Sequence, residues 1–253
     1  EALDKSKAKI AYISLPNAYH YFWASKSLQN GIHTIIDKPA TINSSQLRKL
    51  ILLLKIKKKL LSESIFFHYH KQMKFIMNKR YLNQFNKIHM SFTIPKPHKK
   101  SILLSDKLKG GVIMDMGPYV AAITRIFFKN IPEKIIKKIV LKKKISTNCL
   151  FKFKFKKKYL IGIISHNDKY KNFIRVYFND KVIKLSRVFS PPIFEEVKVL
   201  INKKNKKSIK KFTDDAFGNF ISKIFQLIKK KNYYHFHNQM NFDMKIRNII
   251  RSK

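Results

Sequence analysis

Lys38, Asp115 and Tyr119 are residue types that could together move a proton at a substrate hydroxyl. Oxidising a carbinol needs a base for the hydroxyl proton while the carbon gives up a hydride, and the reverse reaction needs an acid. Lys38 is held between Asp37 and Pro39, which positions it. In a desolvated crevice its pKa is expected to fall. Asp115 and Tyr119 are four residues apart, so they share one face of a helix. A phenol working at neutral pH as a base needs a lowered pKa, and a neighbouring ammonium such as Lys38 is the natural device. Each residue also has a plainer reading: one more surface lysine, a charge at a helix N-terminus, and a core aromatic.

A second group is Leu15, Pro16, Asn17 and His20. Pro16 stiffens a turn, and an Asn at a strand end offers both a donor and an acceptor to a carboxamide or ribose. The plainer reading makes His20 a helix-surface histidine. His68 and His70 end an apolar run; alternate residues point to opposite faces, so at most one enters a common crevice, and His70 is the candidate substrate contact. His166, His235 and His237 have no Cys or carboxylate spacing of a zinc site, so no metal is expected.

The elements that must position these groups follow from pattern. Residues 10–15 and 32–36 are apolar runs that read as buried strands. Residues 18–30 between them read as a helix, with Gly31 where a left-handed C′ residue would end it. Such a unit is a right-handed βαβ crossover, and the C-terminal ends of its strands open onto one crevice, where α/β sheets bind ligands. Asn43 or Ser44 caps a helix to about residue 58, with Leu47, Leu50, Ile51 and Leu54 on one face. Residues 60–67 give a third strand, and 73–84 a helix. Alternation over 87–94 marks a new sheet. Residues 110–128 read as one helix in which Pro118 either starts the main body or kinks it. Strands are expected over 150–155, 159–165, 173–178, 182–187 and 193–201, with Asn179-Asp180 as a hairpin turn. Residues 202–211 read as a solvated hairpin tip, 216–230 as an amphipathic helix and 244–250 as a short terminal helix. The fold class is α/β followed by α+β: a partial Rossmann-like parallel sheet in residues 1–82, then a larger antiparallel sheet backed by helices in 83–253.

Two separated segments resemble the signatures of the Gfo/Idh/MocA family of NAD(P)-dependent oxidoreductases. They are SLPNAYH with IIDKPAT, over residues 14–20 and 35–41, and GGVIMDMGPY, over 110–119. The likeness runs from about Asp4 to the end of the chain. It implies NAD or NADP as cofactor and a sugar or sugar nucleotide as substrate. It also implies that Leu15, Pro16, Asn17, His20, Asp37, Lys38 and Pro39 line the cofactor. By the same resemblance Tyr119 is the proton acceptor or donor, Lys38 its electrostatic partner and Asp115 the anchor of the substrate hydroxyl. Residues 187–192, RVFSPP, look like a segment of members linked to polysaccharide sugars. A homo-oligomer formed through the C-terminal sheet is a further implication. The family begins with a β-α-β segment bearing a Gly-rich pyrophosphate loop, and no G-x-G-x-x-G precedes Ile10. The alternative expectation is therefore a truncated, catalytically weak copy serving as an oligomerisation module.

Composition bounds the remaining classes. The 253 residues can fill a real core, with 45% apolar content. The net charge of +41 would by itself suggest a polyanion partner. Yet only seven of the 55 basic residues are Arg, while Lys, Ile, Asn, Phe and Tyr are all abundant, as an AT-rich codon bias would produce. Dedicated nucleic-acid sites lean on Arg, so nucleic-acid binding is expected to be non-specific and salt-sensitive. The single Cys149 excludes an intrachain disulfide and suits a reducing compartment. No apolar run could span a bilayer, and Glu1–Asp4 lacks signal-peptide character, so a cytoplasmic location is expected.

Overall fold

The computed structural model describes residues 5, 7–204 and 206–252. Its first layer is a small parallel sheet in the order β1 (Ile10–Ile13), β2 (His33–Ile36), β3 (Leu61–Glu63). The connection between β1 and β2 is α1 (Asn17–Gln29), which begins directly after Pro16 and buries His20, Ala24, Ser27 and Leu28. Gly31 follows with φ +68°, a conformation open to glycine without steric cost. Helix α2 (Ser44–Lys57) joins β2 to β3. The Asn43 side chain accepts from the Gln46 N–H at 2.9 Å and satisfies an otherwise unpaired donor of its first turn. Leu47, Leu50, Ile51 and Leu54 form its buried face.

The third strand is shorter than the 60–67 run suggested. Its only neighbour, β2, ends at Ile36; after Ser64 donates to the Ile36 carbonyl at 2.8 Å, no partner remains for the chain to pair with. Residues 67–69 turn as a 3-10 segment, and His70 becomes the N-cap of α3 (Lys71–Ile76). The helix expected over 73–84 is likewise split. The Asn78 side chain accepts from the Arg80 N–H at 3.0 Å and starts a separate helix, α4 (Lys79–Leu82).

The second layer is an eight-stranded sheet built from β4 (Lys87–Thr93), β5 (Lys134–Lys142), β6 (Ile145–Phe155), β7 (Lys158–Ser165), β8 (Lys171–Tyr177), β9 (Lys181–Ser186), β10 (Val197–Lys203) and β11 (Lys206–Phe212). The strand order is β11-β10-β9-β8-β4-β7-β6-β5, antiparallel except that β4 runs parallel to β7. The larger sheet is therefore mixed, because β4 inserts between β7 and β8. The last strand pair corrects another expectation: most of 202–211 is not a hairpin tip but β11, paired to β10 from Val197↔Phe212 to Lys203↔Lys206. Its lysine-rich, exposed sequence is that of a guarded edge strand.

Across the inner face of this sheet lies α5 (Val112–Ile123), which continues as a π-helical turn over Thr124–Phe128. Pro118 sits inside the helix rather than at its start. The main core packs α5 residues such as Met116 and Val120 against Phe151, Phe153 and Leu160. Two final helices, α6 (Ala216–Lys229) and α7 (His237–Arg251), return to the first layer. There Phe220, Ile224, Leu227, Met240 and Met244 join the core of the small sheet. The terminal helix starts seven residues earlier than 244–250, and the added turns bury Met240 and Asp243. Among the described residues no helix is long and apolar enough to cross a membrane.

Candidate active site

The crevice is framed by the ends of β1 and β2 and the start of α5. Two glycines set that start. A Cβ on Gly110 would lie 2.5 Å from the Ile102 carbonyl oxygen, and Gly111 has φ +99° with ψ 152°, a region reserved for glycine. Only with both does the chain enter α5 so that Asp115 faces the β2 end.

Lys38 follows β2, and its peptide bond to Pro39 is cis. The Lys38 ammonium donates to the Asp115 carboxylate through Oδ1 and to the Asp115 carbonyl at 2.9 Å. It also stands 5.3 Å from the centroid of the Tyr119 ring, within cation–π range. Lys38, Asp115 and Tyr119, drawn from two distant segments, thus converge in one place. The second Asp115 oxygen, Oδ2, meets His166 Nε2 at 2.8 Å. The His166 side chain is fully buried, and its Nδ1 has no partner among the described residues. Tyr119 packs among Phe67, Phe92 and Phe189 at centroid distances of 5.8, 5.3 and 5.3 Å. Phe189, from the RVFSPP segment, is held by the Asn172 side chain, which accepts from its N–H at 2.9 Å.

The electrostatics differ from the sequence expectations at two residues. Burial alone would lower the Lys38 pKa, but attraction to Tyr119 and Asp115, with the hydrogen bond to Asp115, outweighs it and holds the ammonium above its ordinary value. Burial raises the Tyr119 hydroxyl, and the Lys38 charge offsets this only in part, so the phenol is not activated towards phenolate. For Asp115 burial acts upward, but Lys38 and His166 prevail and keep the carboxyl well below the usual range. At neutral pH the site is therefore an ammonium, a carboxylate and a protonated phenol. With both Asp115 oxygens engaged by protein groups, that carboxylate orients Lys38.

The turn residues are tied together as well. His20 is buried, not on the helix surface: Nδ1 lies 2.8 Å from the Pro39 carbonyl, and Nε2 contacts the Leu15 carbonyl, joining the two crevice turns. Asn17 Nδ2 donates to the Lys109 carbonyl at 2.8 Å, and among the described residues its side-chain oxygen accepts no hydrogen bond. Asp37 Oδ1 accepts from the Lys38 N–H at 3.0 Å. Leu15 is 43% exposed at the crevice mouth. His70 does not join the cluster: its Nδ1 accepts from the Gln72 N–H at 3.1 Å, and its charged neighbours are Asp214, Lys71 and Lys74. His68 lines a separate cavity of about 20 Å³ with Glu63, Arg125 and Asp243, and burial pushes its pKa down to about 3.

Residues 1–64 match the family model described as an oxidoreductase family with an NAD-binding Rossmann fold, Gfo/Idh/MocA. That match covers 64 of the 253 residues. Among curated relatives it is 27% identical over 120 residues to a dTDP-3,4-didehydro-2,6-dideoxy-alpha-D-glucose 3-reductase of Actinomadura kijaniata, covering 46% of this chain and 36% of that protein. A protein of the same description from Saccharopolyspora spinosa is 27% identical over 128 residues, covering 49% of this chain and 39% of its own length. The matches thus span well under half of these relatives. Among solved structures, a 3-ketoreductase from Actinomadura kijaniata in complex with NADP and TDP-benzene superposes with a TM-score of 0.91 at 18% identity, over 98% of this chain and 79% of that one. An aldose-aldose oxidoreductase from Caulobacter crescentus gives 0.87 at 13% identity, over 98% and 78%. These structural likenesses establish the shared fold: a small parallel sheet beside a large mixed sheet backed by helices. His166 is the residue of the Lys38–Asp115 cluster that sequence reasoning missed. It carries no motif, and only the pairing of β7 beside β6 reveals that residues 165–166 end next to α5.

Proposed function

We propose that this chain carries the nicotinamide-facing and substrate-facing residues of an NAD(P)-dependent oxidoreductase that reduces a carbonyl on a sugar or sugar nucleotide. The observation that carries this reading is the Lys38 ammonium 5.3 Å from the centroid of the Tyr119 ring, at the open ends of parallel strands. The donor set suits a nicotinamide: the Asn17 side-chain oxygen and the stiff turns at Leu15–Pro16 and Asp37–Pro39 would hold its carboxamide end. Bound there, the nicotinamide would supply or accept the hydride. Tyr119 gives its hydroxyl proton to the substrate oxygen as that oxygen gains negative charge, and an O–H bond forms as the phenol O–H breaks. Lys38 stabilises the resulting phenolate, which regains a proton from solvent. Asp115, pinned by His166, keeps the ammonium in place.

The dTDP-deoxysugars on which the similar reductases act support a deoxysugar nucleotide as the substrate class. The RVFSPP likeness supports a role in supplying sugars for a surface polysaccharide. Self-association through the outer face of the large sheet belongs to the same proposal, supported by the exposed Ile136, Leu150 and Ile209. A thermal-shift titration tests the cofactor half. NADPH or NADH at 100 times its Kd should stabilise the fold by about 2.7 kcal/mol, and no shift at millimolar nucleotide would count against the reading.

A further inference from the structure

The loop that carries Lys38 is held from behind by side chains far away in sequence. The Ala40 N–H donates to Glu63 Oε1 at 2.7 Å. Arg247 Nη1 donates to the Thr41 carbonyl at 3.2 Å, Arg251 donates to the Ile42 carbonyl, and Asn248 Nδ2 donates to Ser44 Oγ at 2.8 Å. Three of these four contacts come from one helix, α7. Arg247 also pairs with Glu63 at 3.5 Å, and their side chains are only 6% and 4% exposed. One turn earlier on the same helix, Asp243 Oδ1 accepts from Arg125 Nε at 2.9 Å. Arg125 lies in the π-helical turn that prolongs α5, the helix bearing Asp115 and Tyr119. Asp243, Arg247 and Arg251 recur every four residues and so form one stripe along α7. One end of the stripe grips the Asp115–Tyr119 helix, and the other grips the Lys38 loop.

We propose that α7 is an alignment bar in which Glu63, Arg247, Asp243 and Arg125 are positioning residues that set the Lys38 ammonium against Asp115 and Tyr119. None of the four touches the crevice cluster directly. Each acts through backbone groups or through a buried ion pair, and removing one partner leaves another buried charge uncompensated. The kinetic part rests on the oxidoreductase reading; the structural part does not.

The test uses the full chain with Arg247→Met, which keeps volume but loses the charge, and Glu63→Gln, whose amide oxygen can still accept from Ala40. Hydrogen exchange is followed in peptides covering residues 38–44, with β6 as an internal reference, alongside kcat and KM. Arg247→Met should speed exchange over 38–44 by tenfold or so while β6 is unchanged. It should lower kcat roughly 10- to 100-fold with cofactor KM little altered, and Glu63→Gln, which keeps an acceptor for Ala40 but leaves Arg247 without its counter-charge, should give a smaller loss in the same direction. Should Arg247→Met unfold the chain, Asn248→Ala with Arg251→Ala, at exposed positions, should loosen residues 42–44 alone. Unchanged exchange in that loop, or an equal rise everywhere, would overturn the proposal, as would a loosened loop with full kcat. A wild-type chain without turnover would defeat the oxidoreductase reading, yet the exchange result would still decide the role of α7.

Discussion

Tyr119 sits against three phenylalanine rings with an ammonium above its face, and the balance between the two surroundings decides its protonation. The aromatic box wins, so the phenol stays protonated and is suited to giving a proton in the direction of reduction. This balance was not legible in the sequence. The neighbours of Tyr119 come from residues 67, 92 and 189, and burial cannot be read from the GGxxxDxGxY segment alone. The convergence of Lys38 with Asp115 was legible, because both lie in signature segments. His166 was not, since its place beside Asp115 depends on strand register. Asp115 also makes a pH prediction. Its folded pKa lies below the unfolded carboxylate value near 4, so its contribution to stability is present above that value and is lost as pH falls through the folded pKa. Melting temperatures between pH 2 and 7 should fall on acidification. In Asp115→Asn the acid limb should be shallower, and an equally steep limb would show that Asp115 is not the linked group.

At the scale of elements, periodicity located α1, α2 and α6 almost to the residue, because each has a cap, a stop or a clear apolar face. It failed where tertiary partners decide. The third strand stops when β2 stops, and β11 has no apolar face to reveal it. The parallel insertion of β4 beside β7 is a matter of topology, invisible in either strand's own residues. The outer face of the large sheet exposes Ile136, Leu150 and Ile209 among lysines. Proposed association through this face has a specific salt signature. Each copy is strongly cationic, so screening repulsion should strengthen pairing as salt rises from about 0.15 to 0.5 M. Sedimentation equilibrium should record dimers or larger species, and Leu150→Lys should shift them towards monomer. A wild-type monomer at both salt levels would remove the sheet face from the account.

For the molecule as a whole, the two ends of the described chain meet around the small sheet: α6 and α7 complete the core begun by β1 to β3. The crevice therefore lies between two cores but is braced by a helix from the far end of the sequence. The family signatures made the crevice legible, whereas the brace depends on contacts between residues some 200 positions apart. The most direct measurement is NADPH-dependent reduction of a dTDP-linked 3-keto deoxysugar by the wild-type chain and by Tyr119→Phe. Turnover by the wild type with a loss of about 100-fold or more in kcat for Tyr119→Phe, at unchanged NADPH affinity, is the predicted result. Equal rates for the two proteins would contradict the assignment of Tyr119 as the proton donor.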